Sequence, residues 1–289
     1  MARAARDLFA LSATAKGAAP VSLDDRHMSQ MTARTYGSPP FRVAVLHGGP
    51  GAPGYMAPVA RELGEIMGVL EPLQTRDSLD GQIEELRAQL VNHAELPVTL
   101  IGSSWGAVLA LFLSARAEMM IEKLILVGSA VFDAGNSSRV ETRRLERLDA
   151  ETRRRYETVK RELETAEAED ADRLMKEWGD IIFDADVYDP LTRDLEVLEV
   201  QHELHKKVWA DFVALRDCPG FLKAEFTKIA VPTVVVHGEF DPHSIEGIRP
   251  FLENCLRVVS FLTLPKCGHY PWIERHAKGR FFEILRREI

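Results

Sequence analysis

The sequence predicts an α/β fold: about six mostly parallel strands with helices on both faces, and a helical cap inserted between the fourth strand and the fifth. Three observations lead there. Short apolar runs alternate with longer helical patterns, as crossover helices between parallel strands require. The runs are continuously apolar, which suits strands buried on both faces. One long block, residues 133–222, holds no β-rich run and is densely charged.

Residues 1–40 read as an N-terminal extension without regular structure. Met1–Ala19 carries Arg3, Arg6 and an apolar patch, Leu8–Ala15. This loosely resembles a targeting signal, but the patch is short and Asp7 precedes it. A floppy extension, or a start at Met28 or Met31, accounts for the segment more simply. The core, residues 41–132, opens with Phe41–Leu46, a strand that runs into a glycine-rich loop. Ile66–Leu70 is a second, shorter strand. Leu79, Ile83, Leu86 and Leu90 are spaced four, three and four apart, marking a helix with one buried face. Val98–Ile101 is the third strand and Leu124–Val127 the fourth.

In the cap, Leu145, Leu148, Tyr156, Val159 and Leu163 form one helical stripe, and Val197, Val200, Leu204, Val208 and Phe212 another. Runs such as Glu162–Asp172 read as solvated helix faces. The core resumes over 223–289 with strands at Thr233–His237 and Val258–Leu262; Pro232 sits at a strand start, where its missing N–H does little harm.

Hydrophobic residues make up 46% of the 289, enough for a substantial core. A net charge of −8, with Lys and Arg interleaved among acids, argues against nucleic acid as a partner. The most apolar stretch, Leu96–Ala117, is broken by Gly-Ser-Ser-Trp-Gly and reads as strand plus helix rather than a membrane span. Cys218, Cys255 and Cys267 contain no CxxC pair and leave one over, which suits a reducing, cytoplasmic setting. No histidine–cysteine spacing matches a zinc site.

Chemistry concentrates in four loops. Gly102-Ser103-Ser104-Trp105-Gly106 lies between a strand and an apolar helix, the setting in which a G-x-S-x-G turn exposes a nucleophilic serine. The following helix directs its N-terminal N–H groups at the same place. Ser103 has the wrong offset, since Ile101 and Trp105 flank it at two residues. His47-Gly48-Gly49-Pro50-Gly51 follows the first strand, and its glycines let backbone N–H groups approach a developing oxyanion. His237-Gly238-Glu239-Phe240-Asp241-Pro242 follows the fifth strand, and Cys267-Gly268-His269-Tyr270-Pro271-Trp272 the sixth. All four fall at carboxyl ends of strands, where open α/β sheets gather reacting groups. His269 is the natural proton shuttle and a carboxylate fixes its tautomer. His202 and His205 lie on a charged cap helix, His276 falls in the last helix, and His243 is too close to Asp241 in sequence to be its partner. Asp133, beyond the fourth strand, is a second candidate acid.

Together these loops resemble the α/β-hydrolase superfamily from about Phe41 to the C-terminus, cap excepted. The resemblance implies a chain order of nucleophile, acid, base, which selects Ser104, Asp241 and His269, prefers Asp241 to Asp133, and leaves His47 as a loop brace. It also implies oxyanion donors at Gly49 and Trp105, with Gly48 as fallback. Such an enzyme cleaves an ester or amide of a small-molecule substrate and needs no cofactor or metal. His-Gly-Gly-Pro-Gly with Gly-x-Ser-Trp-Gly is similar, more narrowly, to the proline iminopeptidases, which hold a substrate's free amine with acidic groups; Glu177, Asp180, Glu199 and Glu203 are the cap's candidates. Where those enzymes carry Asp-Gln-Arg-Gly, this chain has Glu71–Asp77, and where they begin with extra strands before the first glycine loop, residues 1–40 show no convincing β pattern. A ligand receptor and a cofactor-free lyase or haloperoxidase are the other functions this scaffold supports.

Overall fold

A computed structural model describes residues 33–289; the targeting patch and most of the 1–40 extension lie outside the described residues. Seven strands form one sheet in the order β1-β3-β2-β4-β5-β6-β7. They are β1 (Ala33–Tyr36), β2 (Phe41–Leu46), β3 (Gly68–Pro72), β4 (Val98–Ser103), β5 (Ile121–Val127), β6 (Thr233–Gly238) and β7 (Val259–Leu264). All neighbours are parallel except β1, which runs antiparallel along β3 at the edge.

The seventh strand corrects the sequence expectation. Ala33-Arg34-Thr35-Tyr36 is only half-buried, so it has no apolar run to announce it. It is held instead by the fully buried Glu71 of β3, which accepts from Arg34 Nε at 2.9 Å and Tyr36 Oη at 2.8 Å. Burial pushes the Glu71 carboxyl up, and the adjoining Arg34 guanidinium opposes that shift. The second strand also lies two residues later than its hydrophobicity suggests, because Ile66 is 57% exposed in the preceding turn.

Alternate side chains enter opposite layers. Ala44 and Leu46 of β2 face one core with Leu100, Leu124 and Val235, covered by α2 (Leu79–His93) and α3 (Trp105–Arg116). Val43 and Val45 face the other with Ile101, Ile125 and Val234, covered by α1 (Ala57–Gly64) and α10 (Lys278–Glu288). Between β5 and β6 come α4 (Ala134–Arg147), α5 (Ala150–Leu163), α6 (Ala168–Asp186), an irregular segment over 187–201, α7 (His202–Arg216) and α8 (Phe221–Phe226); α9 (Ile245–Cys255) follows β6.

Tyr156, Val159, Leu174, Ile181 and Ile182 form a separate small core in α5 and α6, with Leu145, Leu148 and Leu163 packed on it. The second stripe divides: Leu204, Val208 and Phe212 of α7 join the main core, whereas Val197 and Val200 lie in the irregular segment. No helix of the described residues is long and apolar enough to cross a membrane.

Candidate active site

Ser104 sits between the last residue of β4 and the first of α3, at φ 52° and ψ −111°. Few residues other than glycine hold positive φ, and such strain gathers where structure over-determines it. Here its N–H is fixed to the Val127 carbonyl at 2.9 Å. A Cβ on Gly106 would lie 2.4 Å from the Leu46 carbonyl oxygen, and one on Gly102 would lie 2.3 Å from that of Gly106. The Gly-x-Ser-x-Gly spacing is thus a steric demand of packing α3 against β2 and β4. Ser104 lines a cavity of about 1170 Å³. Ser103 is fully buried, and its Oγ accepts from the Tyr55 hydroxyl at 3.3 Å.

The loop after β2 stands beside the serine. His47 is fully buried and braces it: Nδ1 donates to the Gly48 carbonyl at 2.9 Å and Nε2 accepts from the Gln74 N–H at 3.3 Å. Burial lowers its pKa to about 4, so the ring is neutral. The Tyr55 hydroxyl fills the space that a Cβ on Gly48 would need, 1.6 Å away. Among the described residues, neither the Gly49 nor the Trp105 N–H has a backbone acceptor. The irregular segment ties the loop down through Gln201 N–H to the Gly51 carbonyl, at 2.8 Å.

Asp241 and His269 meet from two different loops. Their side chains, 0% and 4% exposed, place His269 Nδ1 2.7 Å from Asp241 Oδ2. His243 adds its N–H at 2.8 Å and its Nδ1 at 3.0 Å to Oδ1, and its ring stacks on His269 at 4.7 Å. His237 Nε2 stands 3.6 Å from Oδ2, too far for a hydrogen bond. Burial alone would push the Asp241 carboxyl up, but the surrounding imidazoles, His269 foremost, hold it well below the usual range. Burial would likewise depress His269, and the Asp241 carboxylate overrides it, raising the pKa. His243, buried, falls to about 4.

Several sequence-level candidates lie elsewhere. Asp133 is exposed and caps α4, accepting the Asn136 N–H at 2.8 Å, so it does not meet His269. Glu239, two residues before Asp241, is exposed. His276 precedes the last helix rather than lying in it, and pairs with Asp189. His205, set aside as a residue of a charged helix, is part of the cavity lining: it stacks on Trp209 and its Nδ1 donates to the Pro50 carbonyl at 3.0 Å.

Gly128, just after β5, had no assigned role, yet it touches the acid–base pair. It has φ +50°, and a Cβ there would lie 3.0 Å from His269 Nδ1 and 3.1 Å from Asp241 Oδ2. Gly128→Ala is expected to destabilise the protein by about 1–2 kcal/mol from the backbone alone. Urea unfolding measures that loss; an unchanged midpoint would mean the backbone relaxes there.

The cavity wall is mixed: Val131, Ile182, Phe183 and Trp209 stand beside charged groups such as Glu141, Lys160, Asp172 and Arg193. Of the four acids considered for an amine, Glu177 and Glu203 do not line it. Asp180 pairs with Lys176 at 3.0 Å, and Glu199 accepts from Gln201 at 2.6 Å. One group among the described residues, Asp241, His243 and His269, brings potential metal donors within 4.8 Å. Its contacts of 2.7 and 3.0 Å are hydrogen-bond lengths, shorter than the roughly 3.3 Å edge of a tetrahedron built on zinc bonds of about 2.0–2.1 Å. The set is therefore arranged to share protons rather than to hold a cation.

Solved structures share this architecture. VinJ superposes with a TM-score of 0.62 at 18% identity, covering 95% of this chain and 98% of its own. An esterase from Exiguobacterium antarcticum gives 0.59 at 20% identity, over 89% and 94%. A proline iminopeptidase from Mycobacterium smegmatis gives 0.58 at 17%, over 89% and 93%. No curated protein sequence matches significantly. The model of the alpha/beta hydrolase family matches residues 31–283, nearly the whole described chain, and the protein belongs to that family.

Proposed function

We propose that the protein is a serine hydrolase that cleaves an ester of a small, uncharged molecule through an acyl-enzyme. One observation carries the reading: Ser104, on its strained turn, opens into the same cavity as a histidine whose other nitrogen is 2.7 Å from a buried carboxylate. Ser104 Oγ attacks the carbonyl as His269 takes its proton, and Asp241 holds the imidazole with Nδ1 protonated and Nε2 free. The Gly49 and Trp105 N–H groups receive the oxyanion. His269 then returns the proton to the leaving group, and water, activated by the same imidazole, releases the acid.

Of the four acids considered for an amine, the two on the cavity wall already have partners, which favours an uncharged substrate. An α-ammonium, with a pKa of about 7.7–8.0, needs a carboxylate free to meet it. Asp180 already meets Lys176 and Glu199 the Gln201 amide, so neither stands as a dedicated, desolvated carboxylate for an amine. Short-chain esters are therefore expected to outrun prolyl amides. Comparing p-nitrophenyl acetate, prolyl-β-naphthylamide and its N-acetylated form tests this. Fast cleavage of the free-amine prolyl substrate alone would make the protein an aminopeptidase, and release that stops near one equivalent would make it a receptor.

A further inference from the structure

Arg144 of α4 and Asp186, the last residue of α6, form a buried pair whose side chains are 15% and 1% exposed. The guanidinium grips both carboxylate oxygens, Nε to Oδ1 and Nη2 to Oδ2, each at 2.7 Å. A two-point grip fixes orientation as well as distance. What it orients is the main chain of Asp186, whose carbonyl accepts the His269 N–H at 2.8 Å. The approach is so close that a Cβ on Gly268 would lie 2.1 Å from that oxygen. On the other side, the fully buried Glu274 accepts the N–H groups of Gly268, Tyr188 and Asp189 at 2.9, 2.7 and 2.8 Å. The His269 loop is thus held between Glu274 of the core and Asp186 of the cap. Two more arginines of α4 bond to the same neighbourhood: Arg143 donates to the Pro242 carbonyl at 3.0 Å and Arg147 to that of Ala185 at 2.8 Å.

We infer that the Arg144–Asp186 pair is a positioning element for His269, acting through the Asp186 main chain and joining the cap to the base. The inference rests on His269 being the base. The pair also sets opposite charges near the imidazole. Asp241 and His243 face His269 from the β6 loop with His237 behind them, Tyr270 flanks it on its own loop, and Asp186 and Arg144 face it from the cap. Within that set Asp186 favours the imidazolium and Arg144 disfavours it. Removing one therefore moves the titration opposite to removing the other, which checks that both charges stand close to the imidazole.

The test is a histidine NMR titration of the full chain, without substrate, together with kcat and KM for p-nitrophenyl acetate. Arg144→Met should raise the His269 midpoint and Asp186→Asn should lower it. The acid limb of kcat should follow each, since the base must be neutral to act. Each should cost about 10–100-fold in kcat with KM within about twofold, because a misplaced base loses rate and not binding. Arg144→Lys keeps the charge without the two-point grip, so its midpoint should stay near wild type while kcat falls. If Arg144→Met does not fold, Asp186→Asn and Arg144→Lys decide the matter. A kcat near wild type in Arg144→Lys and Asp186→Asn would overturn the inference, as would midpoints that stay put or move together in Arg144→Met and Asp186→Asn. Because the titration needs no turnover, it reads this proposal separately from the hydrolase reading, which fails instead if the wild-type protein turns over no ester.

Discussion

Ser104→Ala is expected to abolish ester turnover and fluorophosphonate labelling together, with a loss on the order of 10⁶-fold in kcat. The size follows from the mechanism. Without the hydroxyl no acyl-enzyme forms, and what survives is the contribution of oxyanion donors and binding, ~10³–10⁴ over water. The fold should persist. Alanine meets the same backbone strain at φ 52° as serine does, and Gly102 and Gly106, which permit the close packing of α3, are untouched. Circular dichroism and a melting curve establish folding, and mass spectrometry of the labelled wild type locates the adduct. Label on Ser103, or undiminished label in Ser104→Ala, would remove Ser104 as nucleophile. Ser103 is a meaningful control because it is fully buried beneath Tyr55. His269→Ala should fall nearly as far, since serine and base act as a unit.

Most of the sheet was legible because parallel strands announce themselves: Val98–Ser103 and Thr233–Gly238 are buried along their whole length and show no apolar–polar alternation of the kind a half-solvated strand has. What escaped was what hydrophobicity does not encode. β1 is a half-buried edge strand held by a salt bridge and a tyrosine hydroxyl on Glu71, long-range contacts with no local pattern. Val197 and Val200 imitate the first turn of a helix at the correct spacing, yet the chain there follows the Pro53 and Gly51 carbonyls over the glycine loop, and α7 starts at His202. Ile66 and Val258 are apolar but exposed, so both strand limits inferred from them were displaced.

The candidate site divides the same way. Ser104, Asp241 and His269 stand in short motifs at strand ends, which made them candidates in the sequence, with the family resemblance needed to prefer Asp241 to Asp133. The residues around them depend on chain separation. Asp186 lies 83 positions before His269, and its role turns on a main-chain carbonyl, which no side-chain pattern reveals. Arg144 sits on a helix so rich in charge that one buried arginine looks like its exposed neighbours. His243 was passed over for its nearness to Asp241, but the tight turn after β6 folds it back onto the carboxylate. Gly128 and Tyr55 matter for the space they leave or fill, which only coordinates express.

Asp241→Asn should lower kcat by about 10⁴-fold with little change in KM. An amide at this position turns an N–H₂ group towards His269 Nδ1, or leaves that nitrogen without its charged acceptor. Either way the proton is no longer held on Nδ1, and Nε2 ceases to be a dependable base towards Ser104. The pH dependence carries a signed check. Asp241 raises the His269 pKa, so wild-type activity should fall away as pH drops through a midpoint above the ordinary value near 6.5. Removing the carboxylate leaves burial to depress the imidazole, so the acid limb of Asp241→Asn should move to lower pH while its plateau stays low. Asp133→Asn is the matched control: asparagine caps a helix about as well as aspartate, so activity and stability should both stay near wild type. Steady-state kinetics from pH 5 to 9 on the three proteins decide between the acids. A large loss in Asp133→Asn with a mild one in Asp241→Asn would place the acid after β5 and leave Asp241 as a turn residue.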